Sequence, residues 1–223
     1  MDNILNKGFG TVEKTIDTDE IYKILRSRII NLYYEPGQVL NEEDIAQEFN
    51  VSRTPIRKIF QQLNGDKLLN IIPRFGAQVT PLDFKYMKSV FEVTRQLDPF
   101  AARLAVDRIS REQVKELEEI VERLYSYNIR EDYQKAIKDD ERFHDIIFLS
   151  SGNQCLAEIL LGLHMHTERL WHYSEQYIDS MDLFTNTLDN ILKAIKEKNY
   201  EAVEKYARDH IDDFVEKIKQ QML

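Results

Sequence analysis

Apolar positions recur at helical spacing along almost the whole chain, and the one interruption is informative. Ile21, Ile24, Leu25, Ile29 and Leu32, with the aliphatic stem of Arg28, form a stripe. It predicts a helix capped by Thr18 or Asp19 and running to about Tyr33, where Pro36-Gly37 ends it. Asn41, with Asp44 three residues on, resembles a capping box with the shorter acid and opens a short helix around Ile45, Ala46 and Phe49. Asn50 closes that helix. Ser52 is placed to cap a third, carrying Ile56, Ile59, Phe60 and Leu63, and Gly65-Asp66 stops it. The period then changes. Leu68 to Ile72 and Ala77 to Thr80 are β-prone runs separated by Pro73-Arg74-Phe75-Gly76, the pattern of a hairpin with a short loop.

Beyond Pro81 every pattern is helical. Asp83 to Asp107 is one long amphipathic stretch, and Ser110 with Gln113 is a capping box for the next, up to about Tyr127. A third spans Asp132 to Leu149 and stops at Ser150-Ser151-Gly152. Asn153 caps a fourth that runs past Trp171. Leu183 to Lys196 and Glu201 to Lys217 complete the series, joined by Glu197-Lys198-Asn199. The pattern predicts a mainly α protein: a winged helix-turn-helix over residues 1–80, of three helices and a β-hairpin wing, then an antiparallel all-α bundle over 81–223.

Composition narrows the possibilities. With 223 residues, 43% hydrophobic and 31% charged, the chain can bury a core. Seven glycines and five prolines are too few for an all-β fold with many tight turns. A single cysteine, Cys155, excludes an intrachain disulfide framework and a multi-cysteine zinc site. No apolar run reaches the roughly 20 residues of a membrane span, and the first twenty residues lack a basic-then-apolar leader. A cytoplasmic chain without a membrane partner is the expectation. The net charge of −9 is unevenly spread: residues 1–80 carry 10 basic and 11 acidic side chains, residues 81–223 carry 20 and 28. A nucleic-acid surface therefore belongs in the first part, as a local patch.

That patch has an address. In a helix-turn-helix the second member enters the major groove, and here that member opens Ser52-Arg53-Thr54-Pro55-Ile56-Arg57-Lys58. Arg53 and Arg57 are four apart and share the face turned away from Ile56, Ile59 and Phe60. Arginine can pair bidentately with guanine, while hydroxyls and free backbone N–H groups at a helix start take phosphate oxygens. Arg74 and Phe75 sit where a wing touches adjacent DNA. Taken singly, each of these residues also fits a solvated surface charge or a plain cap; the order and spacing together favour DNA.

Pro36-Gly37, Leu40, Ile45-Ala46 and above all Val51-Ser52-Arg53-Thr54-Pro55-Ile56-Arg57, followed by Gly76, resemble the N-terminal domain of GntR-type bacterial transcription regulators. The resemblance implies base or phosphate contacts from Arg53 and Arg57, phosphate contacts from Ser52 and Thr54, and a wing tip at Gly76. Lys58 and Arg74 complete the candidate DNA-contacting set. Glu43 stands where many relatives carry a basic residue able to reach DNA.

In the bundle, Asp140 and His144 lie four apart on or beside the apolar stripe Ile137, Phe143, Ile147 and Phe148. His210 falls in register with Val203, Ala207, Ile211 and Phe214. Carboxylate and neutral imidazole are good ligands for a divalent ion. On spacing alone the plainer account comes first, a core Asp–His hydrogen bond and a satisfied buried histidine. His164 and His166 are two apart, so both are not expected to face a core; surface positions are expected for the two, with one of them lining the pocket as the alternative. Trp171, Tyr173 and Tyr177 read as packing or pocket wall, and His172 stays without a role.

Residues 84–218 resemble the ligand-sensing domain of the FadR-type branch of the same regulators. The resemblance rests on Asp140-Glu141-Arg142-Phe143-His144, Ser151-Gly152-Asn153, Ile191-Leu192-Lys193-Ala194-Ile195 and Ala207-Arg208-Asp209-His210. Relatives with a metal use an Asp and three His beside a pocket for a small carboxylate. Carried over, this gives Asp140, His144 and His210, with Leu188 at the remaining ligand position. Thr94 stands where relatives often have an anion-binding Arg, and the adjacent Arg95 faces elsewhere. Thr94, Asp140, His144, Leu188 and His210 are thus the implied effector pocket, with zinc or nickel held weakly or not at all. The implied function is a transcription regulator, a repressor by class: a homodimer that binds double-stranded operator DNA under control of a small-molecule effector. Two rivals remain, a metal-dependent hydrolase or lyase using Asp140, His144 and His210, and a helical scaffold with a vestigial pocket.

Overall fold

The computed structural model describes residues 17–222; the stretch before them, read above for a leader pattern, lies outside the described residues. The chain divides into two compact units. One is the chain up to Arg28 together with Glu35–Thr80; the other is Ile29–Tyr34 together with Pro81 onward.

In the first unit α1 (Thr18–Ile30) as far as Arg28, α2 (Glu42–Glu48) and α3 (Arg53–Gly65) combine with strands β1 (Val39–Leu40), β2 (Leu69–Ile72) and β3 (Gly76–Val79). Helix α1 ends three residues before Tyr33 because Leu32 turns left-handed at φ 57°, well ahead of Pro36-Gly37. Helices α2 and α3 each end in a Schellman motif. Asn50 is left-handed, with Val51 N–H bonded to Ala46 C=O at 2.9 Å; Lys67 is left-handed, with Leu68 N–H bonded to Leu63 C=O at 2.9 Å. The cap of α2 is Asn41, whose side chain accepts from Glu43 N–H at 2.7 Å rather than from Asp44. The wing is a three-stranded antiparallel sheet, not a bare hairpin. Its order is β1-β3-β2, with Leu40 opposite Ala77 and Ile72 opposite Gly76. Ile21, Leu25, Ile56, Ile59, Phe60, Leu63, Leu68 and Leu69 are all but fully buried.

The second unit is a bundle of α4 (Phe84–Arg108), α5 (Arg111–Ser126), α6 (Ile129–Ser150), α7 (Gln154–Ser174), α8 (Asp182–Lys196) and α9 (Tyr200–Met222). Local signals start these helices. Asp83 caps α4 and Asn153 caps α7, and Ser110 with Gln113 makes both bonds of a capping box on α5. Asn128 caps α6 through Arg130 N–H, starting it at Ile129, three residues ahead of Asp132. Helix α4 packs on α9, α7 and α6, and α8 packs on α9 and α5. Phe143, Phe148 and Phe184 fill the centre. Trp171, the chain's one tryptophan, is buried and stacked on Phe214, with ring centroids 3.7 Å apart, and Tyr133 donates to its carbonyl at 2.8 Å. No described helix is long and apolar enough to cross a membrane.

Candidate functional site

Helix α3 buries Ile56, Ile59, Phe60 and Leu63 and leaves Ser52, Arg53, Thr54, Arg57 and Lys58 exposed along its N-terminal half. Ser52 occupies the N-cap position in extended conformation but makes no side-chain capping bond, so the first-turn N–H groups are not used by its hydroxyl. Pro55, within the first turn, has no N–H to satisfy there. Both arginines converge on Glu42, the first residue of α2. Arg57 donates through Nε and Nη2 at 3.2 and 3.0 Å, and Arg53 Nη2 reaches the same carboxylate at 3.4 Å. The hydrogen bond from Arg57 is the main reason that the Glu42 carboxyl is held below the usual carboxylate range. Its side chain is 16% exposed while those of Arg53 and Arg57 are 57% and 61% exposed, so the guanidiniums face outward from a tethered base. Sequence reading missed Glu42, attending instead to exposed Glu43.

At the wing, Arg74 adopts φ 73° and Phe75 is 72% exposed. These two form the apex. Gly76 stands at the start of β3, where a Cβ would lie 2.2 Å from the Leu40 carbonyl oxygen, at φ 119°. Its requirement is for close approach of two strands.

In the bundle, Asp140, His144 and His210 meet. His144 Nε2 lies 3.1 Å from His210 Nε2, and Asp140 Oδ1 lies 3.8 and 3.5 Å from those two nitrogens. All three side chains are buried, and Asp140 Oδ1 has no hydrogen-bond partner. Burial pushes the Asp140 carboxyl up to about 7, His210 down to about 4 and His144 well below its ordinary value. Thr187 of α8 sits 2.7 Å from His210 Nδ1 and donates to the Leu183 carbonyl at 2.8 Å. A hydroxyl has one proton. With that proton on Leu183, His210 Nδ1 is the donor to Thr187, and Nε2 presents its lone pair towards His144 and Asp140. This is the orientation that a second partner imposes on metal-ligating histidines. Leu188, fully buried beside Ile191 and Ile195, supplies no donor, and Thr94 is buried on α4. Arg95 turns outward to a bidentate pair with Asp212 at 2.7 and 2.8 Å.

The surface positions expected for His164 and His166 are not what the fold gives. His164 joins the cluster, bonded to Asp98 of α4 at 2.9 Å and with its ring 4.8 Å from that of His144. Burial disfavours its charge, but Asp98, together with Asp140 and Asp145, outweighs this and raises its pKa. His166 is buried edge-on against Tyr86, with centroids 5.3 Å apart. Both can be inside because α7 lies against α4 and α6 at once, so more than one of its faces is covered. Asp98 and Thr187 join this cluster without any signal in the sequence, whereas His164 takes the inward place left open as the alternative.

A family model for the FCD domain matches residues 89–213, and one for bacterial regulatory proteins of the gntR family matches residues 17–79. The chain is 27% identical over 204 residues to the uncharacterized HTH-type transcriptional regulator YdhC of Bacillus subtilis, covering 90% of each chain. It is 23% identical over 201 residues to the HTH-type transcriptional repressor RspR of Escherichia coli, covering 90% of this chain and 88% of that one. Among solved structures, E. coli McbR/YncC shares the fold at a TM-score of 0.77 and 20% identity, over 92% of this chain and 98% of that one. The winged unit, the helical bundle and both family matches agree: the chain belongs to the GntR family of bacterial transcription regulators, with an FCD domain as its second part.

Proposed function

We propose that Arg53 and Arg57 read the operator from α3, with Ser52, Thr54, Lys58, Arg74 and the backbone at Gly76 fixing the unit on the phosphates, and that the protein acts as a cytoplasmic homodimeric repressor. The observation that carries this reading is the exposed cationic edge of α3, tethered from below by Glu42. Two copies supply two recognition helices for two half-sites, the usual route by which such modules gain affinity. The effector site is the pocket around Asp140, His144 and His210, bounded by Thr94 and Leu188. The unpartnered Asp140 Oδ1 and the lone pair of His210 fit a divalent ion, zinc or nickel, with these three residues as its protein ligands. Such an ion would supply a positive centre for an acidic effector, a small carboxylate, in a pocket that lacks an arginine at Thr94. Salt-dependent binding to the DNA upstream of the gene tests the first claim. Arg57→Ala is expected to cost about 1–3 kcal/mol and to relax base preference, while Lys58→Ala lowers affinity uniformly across sequences. A footprint on cognate DNA unchanged by replacing Arg53 and Arg57 together refutes the assignment.

A further inference from the structure

A second cluster of metal-type donors lies on α6 and α7, away from the residues assigned above. Glu141 of α6 and Glu168 and His172 of α7 bring their donor atoms within 4.8 Å of one another. Glu168 and His172 are four apart, so they stand one turn above the other on one face. The carboxyl of Glu141 shares a hydrogen bond with that of Glu168. His172 is 6% exposed, yet neither of its ring nitrogens has a hydrogen-bond partner, and the buried Oε1 of Glu141 has none either. Burying a polar ring with both nitrogens open costs free energy that nothing within the fold repays. His210, by contrast, has Thr187 on one nitrogen and His144 on the other. The charged groups that act on this cluster are Lys138 on His172, and Asp140 and Asp145 on Glu141.

We propose that Glu141, Glu168 and His172 form a second divalent-cation site, distinct from the Asp140–His144–His210 pocket, for a transition ion of the zinc class. Two carboxylate oxygens and one imidazole nitrogen are a donor set that such ions accept, with water in the remaining positions. Three donors within 4.8 Å of one another can all be reached from one centre, and side-chain movements of less than about 1 Å bring them to ordinary bond lengths of about 2.0–2.2 Å. The ion satisfies the open nitrogen of His172 and the open oxygen of Glu141 together. It also ties α6 to α7. Those helices carry Asp140, His144 and His164, so an ion here braces the frame of the pocket without entering it. The site stands whether or not the pocket itself holds metal.

The test uses the full chain with the pocket disabled by Asp140→Asn, His144→Ala and His210→Ala, stripped of metal and titrated with Co²⁺ alone. One equivalent is expected to bind with visible ligand-field bands unlike those of aqueous cobalt, and Zn²⁺ displaces it. Adding His172→Ala or Glu168→Gln is expected to weaken binding at least tenfold and to abolish the rise in Tm that Zn²⁺ produces. Superimposable titrations with and without His172, or only the spectrum of hydrated cobalt, overturn the proposal. If circular dichroism shows the pocket-disabled chain unfolded, the unmodified chain is used. Loss of one cobalt equivalent on His172→Ala then supports the site, and an unchanged stoichiometry refutes it.

Discussion

Two single residues in the winged unit carry consequences out of proportion to their size. At Gly76 any side chain meets the Leu40 carbonyl oxygen, and the left-handed φ adds backbone strain. Gly76→Ala is expected to destabilise the winged unit by about 3 kcal/mol, read as a lowered urea midpoint by circular dichroism. Tyr22 donates to Asp66 at 2.7 Å, and burial, reinforced by that carboxylate, pushes its hydroxyl up to about 12 from 10. The folded state thus holds the proton more tightly than the unfolded chain. The stabilisation is complete below about pH 10 and is lost as pH rises towards about 12. The Tm difference between the parent and Tyr22→Phe is therefore expected to be constant below pH 10 and to shrink above it. A gap that stays constant to pH 12 contradicts the assignment.

At the scale of elements, α2 does more than brace α3. Glu42 is bound to both arginines across the turn, which fixes their rotamers and sets a negative charge behind the cationic edge. Glu42→Gln is expected to raise affinity for non-cognate DNA about threefold at low salt, with little gain on a cognate site, so the ratio between them narrows. Competition binding with labelled duplexes at two salt concentrations measures this. The same element shows what sequence could and could not disclose. The stripe of α3, the capping box at Ser110 and the left-handed Asn50 follow from neighbours within a few residues, so periodicity and residue type reveal them. Strand β1 is two residues long and exists only because β3 pairs with it. Glu42 meets Arg57 fifteen residues away, beyond any helical spacing. His164 looked like a surface residue because two-apart positions on one helix face opposite ways. What decides its place is how many neighbours α7 has, and no local pattern records that. Asp140, His144 and His210 were legible because each sits on an apolar stripe. Thr187 was not, since a threonine on a buried face carries no signal until its partner is known.

For the molecule as a whole, size and charge divide the labour. A winged unit of about eighty residues buries proportionately less of its surface and has little apolar area to spare beyond its own core, whereas the bundle is the larger unit. The full chain is expected to sediment as a dimer and residues 1–80 as a monomer; a stable dimer of the short fragment contradicts this. The position of Trp171 has a further consequence, which is optical. As the chain's one indole, buried in the bundle and stacked on Phe214, it makes tryptophan emission a private signal of the helical unit. Its carbonyl accepts a hydrogen bond from Tyr133, which lies two turns of α6 before Asp140, so the indole is tied to the helix that carries the proposed site. The winged unit contains Tyr22 but no tryptophan. It can melt, refold or bind DNA in the dark, and its state has to be followed by another kind of light.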